Sequence, residues 1–296
     1  MEKLLINGGR SLKGEISCSG AKNAALPMIA ATILSDKNIV LKNLPYLQDI
    51  TTMFELLGSM GANILLNENM DFTISTNALN EKEARYELVK TMRASILVLG
   101  PLVAKYGEAK IALPGGCAIG SRPVNYHLDA LEQLGATIIL KNGYIEASAK
   151  KLIGSKIKFD GVTVTGTENI MMAACLAEGT TVPTNVAKEP EIIDLADFLN
   201  KMGAKISGAG TDEITIEGVD RLHGTEHIIP ADRIEAGTYL VAAAVTKGEI
   251  VINGINPNRL VKVLDKLNET GAIIETSKNS ISLSMKRDKP KPVDIT

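Results

Sequence analysis

The segment Pro114-Gly115-Gly116-Cys117-Ala118-Ile119-Gly120-Ser121-Arg122-Pro123 sets a thiol in a glycine-rich, proline-bounded loop, five residues before a guanidinium. Its three glycines open backbone conformations that other residues resist, so the loop is built to move. A thiol reacts through its thiolate, and a nearby cation raises the thiolate fraction. A structural cysteine would sit better on a packed helix or strand. Cys117 is therefore a candidate reactive thiol, with Arg122 as its neighbouring cation; the plain alternative is a free thiol that happens to lie in a turn.

Two more cations stand where helices should begin. Ser19-Gly20-Ala21-Lys22-Asn23-Ala24-Ala25 offers Ser19 as an N-cap, with Lys22 and Asn23 in the first turn. Lys90-Thr91-Met92-Arg93-Ala94-Ser95 puts Arg93 near the start of a second apolar helix. The helix macrodipole disfavours a cation at that end by up to about 1 kcal/mol. An anion held between the first amides and the side chain would offset that cost. Taken alone, either cation is equally a solvated surface charge. Together with Arg122 they suggest a site for a small phosphorylated or carboxylated substrate, with a thiol at its edge.

Weaker features point elsewhere. His223 and His227 lack a metal-binding carboxylate motif and read as surface or strand histidines, so no metal is expected. Cys18 and Cys175 lie in apolar sequence and read as core thiols. No Gly-x-x-x-x-Gly-Lys-[Ser/Thr] or Gly-x-Gly-x-x-Gly occurs, which removes support for a P-loop nucleotidase or a dinucleotide-binding dehydrogenase.

The 296 residues are 45% hydrophobic and 22% charged, with a formal net charge of -2, a soluble globular balance with room for about two domains. No basic surface for nucleic acid is evident. The apolar run from Ala94 to Ala104 is too short to span a membrane and is broken by Gly100-Pro101. Three widely spaced cysteines, with no signal-peptide core at the start, suggest a reducing, cytoplasmic setting.

These residues must be positioned by a repeated unit. Leu57-Gly58-Ser59-Met60-Gly61-Ala62-Asn63-Ile64 returns around Gly135, Gly203 and Gly271, at spacings of 74, 68 and 68 residues. Each copy reads as an amphipathic helix ended by glycine, then a strand, a turn such as Lys141-Asn142-Gly143, and a second strand. An earlier apolar helix, a strand and a proline-ended turn precede each copy, at 24–45, 93–114, 169–190 and 238–257. The expected fold is α/β, from repeated β-α-β-α-β-β units. The tail from Lys286 to Thr296 has the composition of a linker, and the chain looks cut short.

Together, Ser19 to Pro27, Lys90 to Ser95, the Cys117 loop, Val164-Thr165-Gly166-Thr167-Glu168-Asn169-Ile170-Met171-Met172, Glu189-Pro190-Glu191-Ile192 and Asp232-Arg233-Ile234-Glu235-Ala236-Gly237-Thr238 resemble the bacterial UDP-N-acetylglucosamine 1-carboxyvinyltransferase family. The resemblance runs the length of the chain. It implies an inside-out α/β barrel fold of two three-repeat domains: a complete one at 22–229, and a second, here incomplete, from 1–21 plus 230–296. The implied reaction transfers enolpyruvyl from phosphoenolpyruvate to the 3'-hydroxyl of UDP-N-acetylglucosamine and releases phosphate, the first committed step of peptidoglycan synthesis. No cofactor is implied.

By the same resemblance, Cys117 would protonate the methylene carbon of phosphoenolpyruvate and would be the residue fosfomycin alkylates. Lys22, Arg93 and Arg122 would bind phosphate and carboxylate, and Asn23 would touch both substrates. Arg122, Pro123, Val124, Asn125 and Tyr126, with Gly161, Val162, Thr163 and Val164, would hold the uridine diphosphate portion. Some members carry lysine at the position of Gly161 and aspartate at that of Asn125. The family's C-terminal part supplies a carboxylate base and further arginines. Two alternatives are a non-catalytic nucleotide-sugar-binding protein and a 5-enolpyruvylshikimate-3-phosphate synthase-like enzyme; Cys117 and the Lys90-Thr91-Met92-Arg93 segment speak against the latter.

Overall fold

The computed structural model describes residues 3, 5, 7–113, 124–286 and 289–295. The chain divides into two compact units, one of Lys22–Pro230 and one of Met1–Ala21 with Ala231–Thr296.

In the Lys22–Pro230 unit the helices lie inside and the sheets outside. Helix Lys22–Ala31 is buried at every position from Ala24 to Ala31, and helix Val164–Ala174 from Gly166 to Ala174. The first is apolar on all sides past Asn23, and the second ends in the apolar run Ile170–Ala174 after the buried polar residues Thr167, Glu168 and Asn169; helices of this kind are stable only when enclosed. Each fully buried Leu, Ile or Met contributes about 1.5–3 kcal/mol, which drives these segments to the centre. The strands Asn63–Leu66 and Thr137–Lys141 instead leave most of their residues exposed.

The unit's three sheets repeat one plan: a parallel strand, a central strand and an antiparallel hairpin. Lys156–Lys158 runs parallel to Thr180–Thr184, which pairs with Thr215–Glu217 and through it Lys205–Ser207. Glu83–Ala84, Glu108–Ala112, Tyr144–Ser148 and Thr137–Lys141 follow the same order. In the first sheet the parallel partner of Ile39–Lys42 is Glu226–Ile228, so the last strand returns to the first repeat. Parallel pairing requires a crossover, and the buried helices supply it.

The other unit holds a fourth sheet of the same plan, Lys13–Ser17, Glu249–Asn253, Ser280–Ser284 and Ile273–Thr276. Its core gathers Ile250, Ile252, Leu264, Ile281 and Leu283 beneath helices Arg233–Val245 and Val261–Glu269. The four repeats read from the sequence are these four sheets. Their marker glycines, Gly61, Gly135, Gly203 and Gly271, all take positive φ, from 90° to 102°, just past a helix end. That is the left-handed conformation in which a helix closes on glycine.

Three expectations change. Ser19 does not cap helix Lys22–Ala31; its hydroxyl donates to the Glu235 carboxylate instead. Arg93 opens a 3₁₀ segment, Arg93–Val98, and regular α-helix starts only at Leu99. Pro101 explains this, because it has no N–H and its ring crowds the carbonyl four residues back, so the α pattern cannot extend upstream. The tail is tied down at one point, where Lys291 N–H donates to the Thr270 carbonyl at 2.8 Å.

Candidate active site cavity

A cavity of about 670 Å³ opens within the Lys22–Pro230 unit. One wall carries Lys22 and Asn23 from the first turn of their helix, with Asp49 from helix Gln48–Ser59. Another is the segment Thr91–Ala94, which brings Arg93. Val124, Tyr126 and His127 close the side next to the thiol-loop sequence, and Val162–Thr165 forms the remaining wall. The volume suits a small polar ligand.

Val162–Thr165 includes the start of helix Val164–Ala174. Thr163 is its N-cap, its hydroxyl accepting from Gly166 N–H at 3.2 Å. A side chain at 166 would strike the Thr163 methyl at 2.4 Å, so glycine is required for this cap. The cap takes up the Gly166 amide, and the helix's first residues, Val164 and Thr165, line the cavity, an arrangement favouring anions. Across the cavity Lys22 Nζ meets Asp49 Oδ2 at 2.8 Å. Cations and helix N-terminus together make a region built for negative charge.

His127 lies beneath the wall, 3% exposed, with its pKa pushed down to about 4 by burial and further by the Arg93 charge. Its Nε2 is 3.1 Å from Thr165 Oγ1, and its Nδ1 is 2.9 Å from Asn169 Nδ2. Asn169 also accepts from Gly100 N–H at 2.6 Å and donates to the Ile96 carbonyl at 2.9 Å. A Cβ at position 100 would sit 2.2 Å from Asn169 Oδ1, so only glycine lets the two helices approach. Near Asn169 on the same helix, burial holds the Glu168 carboxyl well above the usual carboxylate range, helped by Glu191 and Glu189.

The EPSP synthase (3-phosphoshikimate 1-carboxyvinyltransferase) family profile matches residues 6–296. The UDP-N-acetylglucosamine 1-carboxyvinyltransferase of Hydrogenovibrio crunogenus is 52% identical over 295 residues, covering 100% of this chain and 71% of that protein. Its counterpart from Coxiella burnetii is 54% identical over 296 residues, covering 100% and 68%. The chain belongs to the UDP-N-acetylglucosamine 1-carboxyvinyltransferase family. Among solved structures, the enolpyruvyl transferase NikO from Streptomyces tendae superposes with a TM-score of 0.85 at 22% identity, over 97% of this chain and 69% of that one. An EPSP synthase from Acinetobacter baumannii gives 0.74 at 20% identity, over 94% and 65%. At those identities the likeness is one of fold, and it agrees with the inside-out α/β architecture.

Of the residues that resemblance to this transferase family singles out, Lys22, Asn23, Arg93, Val124, Tyr126, Val162, Thr163 and Val164 line the one cavity. Asn125 is exposed at the first position of helix Asn125–Gln133 and does not line it. Gly161 stands behind Tyr126: a Cβ there would meet the Tyr126 hydroxyl at 2.6 Å. Cys117, Arg122 and Pro123 lie outside the described residues.

Asp49, His127, Thr165 and Asn169 were not picked out as site residues by sequence. A lone histidine and an asparagine inside an apolar helix carry no motif; only the fold brings them together. The remaining thiols are unlike a reactive one. Cys175 is fully buried and burial pushes it up to about 12. Cys18 is half-buried rather than in the core; its Sγ donates to the Asp232 carbonyl, and burial with Glu235 beside it also pushes it up to about 12. Of the two histidines with motif-like spacing, His223 is exposed and His227 is buried in strand Glu226–Ile228. Among the described residues no helix is long and apolar enough to cross a membrane.

Proposed function

We propose that the chain is an enolpyruvyl transferase moving the enolpyruvyl group of phosphoenolpyruvate to the 3'-hydroxyl of UDP-N-acetylglucosamine, with release of phosphate. The observation that carries this reading is the sharing of one cavity by Lys22, Asn23, Arg93 and the start of helix Val164–Ala174. Cations on one side and helix amides on the other suit two anionic substrates bound together.

In this reading Cys117 donates a proton to the methylene carbon of phosphoenolpyruvate, and the adjacent carbon gains oxocarbenium character. The sugar hydroxyl attacks that carbon, losing its proton, to give a tetrahedral ketal. Expulsion of phosphate and loss of a methyl proton restore the carbon–carbon double bond in the product. Lys22, Arg93 and Arg122 stabilise the charge that moves through these steps. Gly161–Val164 and Arg122–Tyr126 hold the uridine diphosphate portion. The reaction would serve peptidoglycan synthesis in the cytoplasm, and through it cell-wall biogenesis, cell shape and division.

The test is direct: the purified chain is mixed with phosphoenolpyruvate and UDP-N-acetylglucosamine, and released phosphate and the enolpyruvyl product are followed. Turnover lost in Cys117→Ser supports the reading. Nucleotide-sugar binding without phosphate release, unchanged in Cys117→Ser, would assign the chain a binding role instead.

A further inference from the structure

The Asn169 side chain is oriented by two backbone groups under the cavity wall. Gly100 N–H requires the amide oxygen on one side, and the Ile96 carbonyl requires the amide nitrogen on the other. Only one orientation of the amide satisfies both. The second Nδ2 hydrogen then points at His127 Nδ1, which must be bare to accept it. An imidazolium would set two N–H groups against each other, so the ring is neutral and carries its proton on Nε2. That proton is donated to Thr165 Oγ1. With its oxygen accepting from His127, the Thr165 hydroxyl has its own hydrogen left to give. No acceptor for it stands among the described residues, and Thr165 lines the cavity in the first turn of helix Val164–Ala174.

We infer that Asn169 and His127 are positioning residues that turn the Thr165 hydroxyl into the cavity as a hydrogen-bond donor, toward an anionic oxygen of the nucleotide sugar's diphosphate. The inference rests on the function proposed above. It adds a side-chain donor, with a fixed direction, to the amides of the helix start. Side chains from two helices, anchored by the backbone of Ile96 and Gly100, set that direction, so it is preorganised before ligand arrives.

Four variants of the full chain test this by calorimetric titration with UDP-N-acetylglucosamine and by long-range nitrogen–proton NMR of His127. Thr165→Val keeps the shape and removes the donor; affinity should fall about tenfold, the value of one hydrogen bond to a charged group. Thr165→Ser should restore it. Asn169→Asp replaces the amide donor with a carboxylate. His127 should then carry its proton on Nδ1, and the Thr165 hydroxyl should turn back to donate to Nε2. Affinity should drop as in Thr165→Val, and the double variant Asn169→Asp/Thr165→Val should bind no more weakly than Thr165→Val alone. A merely structural role for Asn169 would give additive losses and leave the tautomer alone. Wild-type binding with Thr165→Val unchanged, or an Nδ1–H tautomer in the wild type, overturns the inference and leaves the proposed function standing. A wild-type chain that does not bind the nucleotide sugar overturns the function, and the ligand half of the inference with it.

Discussion

Lys22 Nζ is held 2.8 Å from Asp49 Oδ2 on the cavity wall, with both side chains more than one-third exposed. An ion pair at that exposure is worth only about 0.2–1 kcal/mol to folding. Its larger effect is on ligand, because an incoming phosphate or carboxylate must compete with Asp49 for the same ammonium group. Asp49→Asn should therefore leave the unfolding midpoint nearly unchanged. It should tighten binding of phosphoenolpyruvate several-fold, measured by titration calorimetry at low salt. Weaker binding would mean that Asp49 aims Lys22 at the ligand and does not compete with it.

Thiol chemistry should be confined to one residue. Cys18 and Cys175 are both pushed up to about 12, so at pH 8 roughly one molecule in ten thousand carries either as thiolate. Short exposure to fosfomycin should add a single adduct, mapped to Cys117 by peptide mass spectrometry and absent in Cys117→Ser. Comparable labelling of Cys18 would refute the protective role of its burial beside Glu235.

The repeat architecture was legible because glycine writes backbone conformation into sequence. Gly61, Gly135, Gly203 and Gly271 mark helix ends whatever surrounds them, and Asn142-Gly143, both at positive φ, marks a hairpin turn. Lys22 and Arg93 were legible for the opposite reason, since a cation at an apolar helix start contradicts local electrostatics. The Arg93–Val98 3₁₀ turn was missed because Pro101, written downstream, decides it. The Asn169–His127–Thr165 chain was missed because its three members come from two helices and depend on the close approach of Gly100. Partners 42 residues apart leave no periodic trace. Ser19 looked like a cap, and the fold gave its hydroxyl to Glu235.

Acid should weaken the fold through His127. Its folded pKa is about 4 against an ordinary 6.5, so between those values the unfolded chain holds one more proton. Stability from this group is complete above pH 6.5 and is lost as pH falls toward 4; by pH 5 the loss is about 2 kcal/mol. Glu168, whose pKa is raised by burial, works in the opposite direction and costs stability as pH rises above 4.5. Urea denaturation of the wild type and of His127→Gln at pH 7.5 and pH 5 separates the two. The acid-induced loss should shrink in the variant; an equal loss would place the titrating group elsewhere.

Gly161 and Tyr126 should behave as a coupled pair. A Cβ at 161 would lie 2.6 Å from the Tyr126 hydroxyl, closer than real side chains approach, and a tight 3.1 Å from its ring carbon. Gly161→Lys alone must therefore expel Tyr126 from the cavity wall. The cation it adds near the helix start cannot then act from a settled position. Affinity for UDP-N-acetylglucosamine should fall about tenfold in Gly161→Lys, and Tyr126→Leu in the same chain should recover it by vacating the space. In a double-mutant cycle the coupling should reach about 1 kcal/mol or more. Additive effects would show that the two positions are independent, and that the tight approach is relieved by backbone movement at 161 with Tyr126 in place.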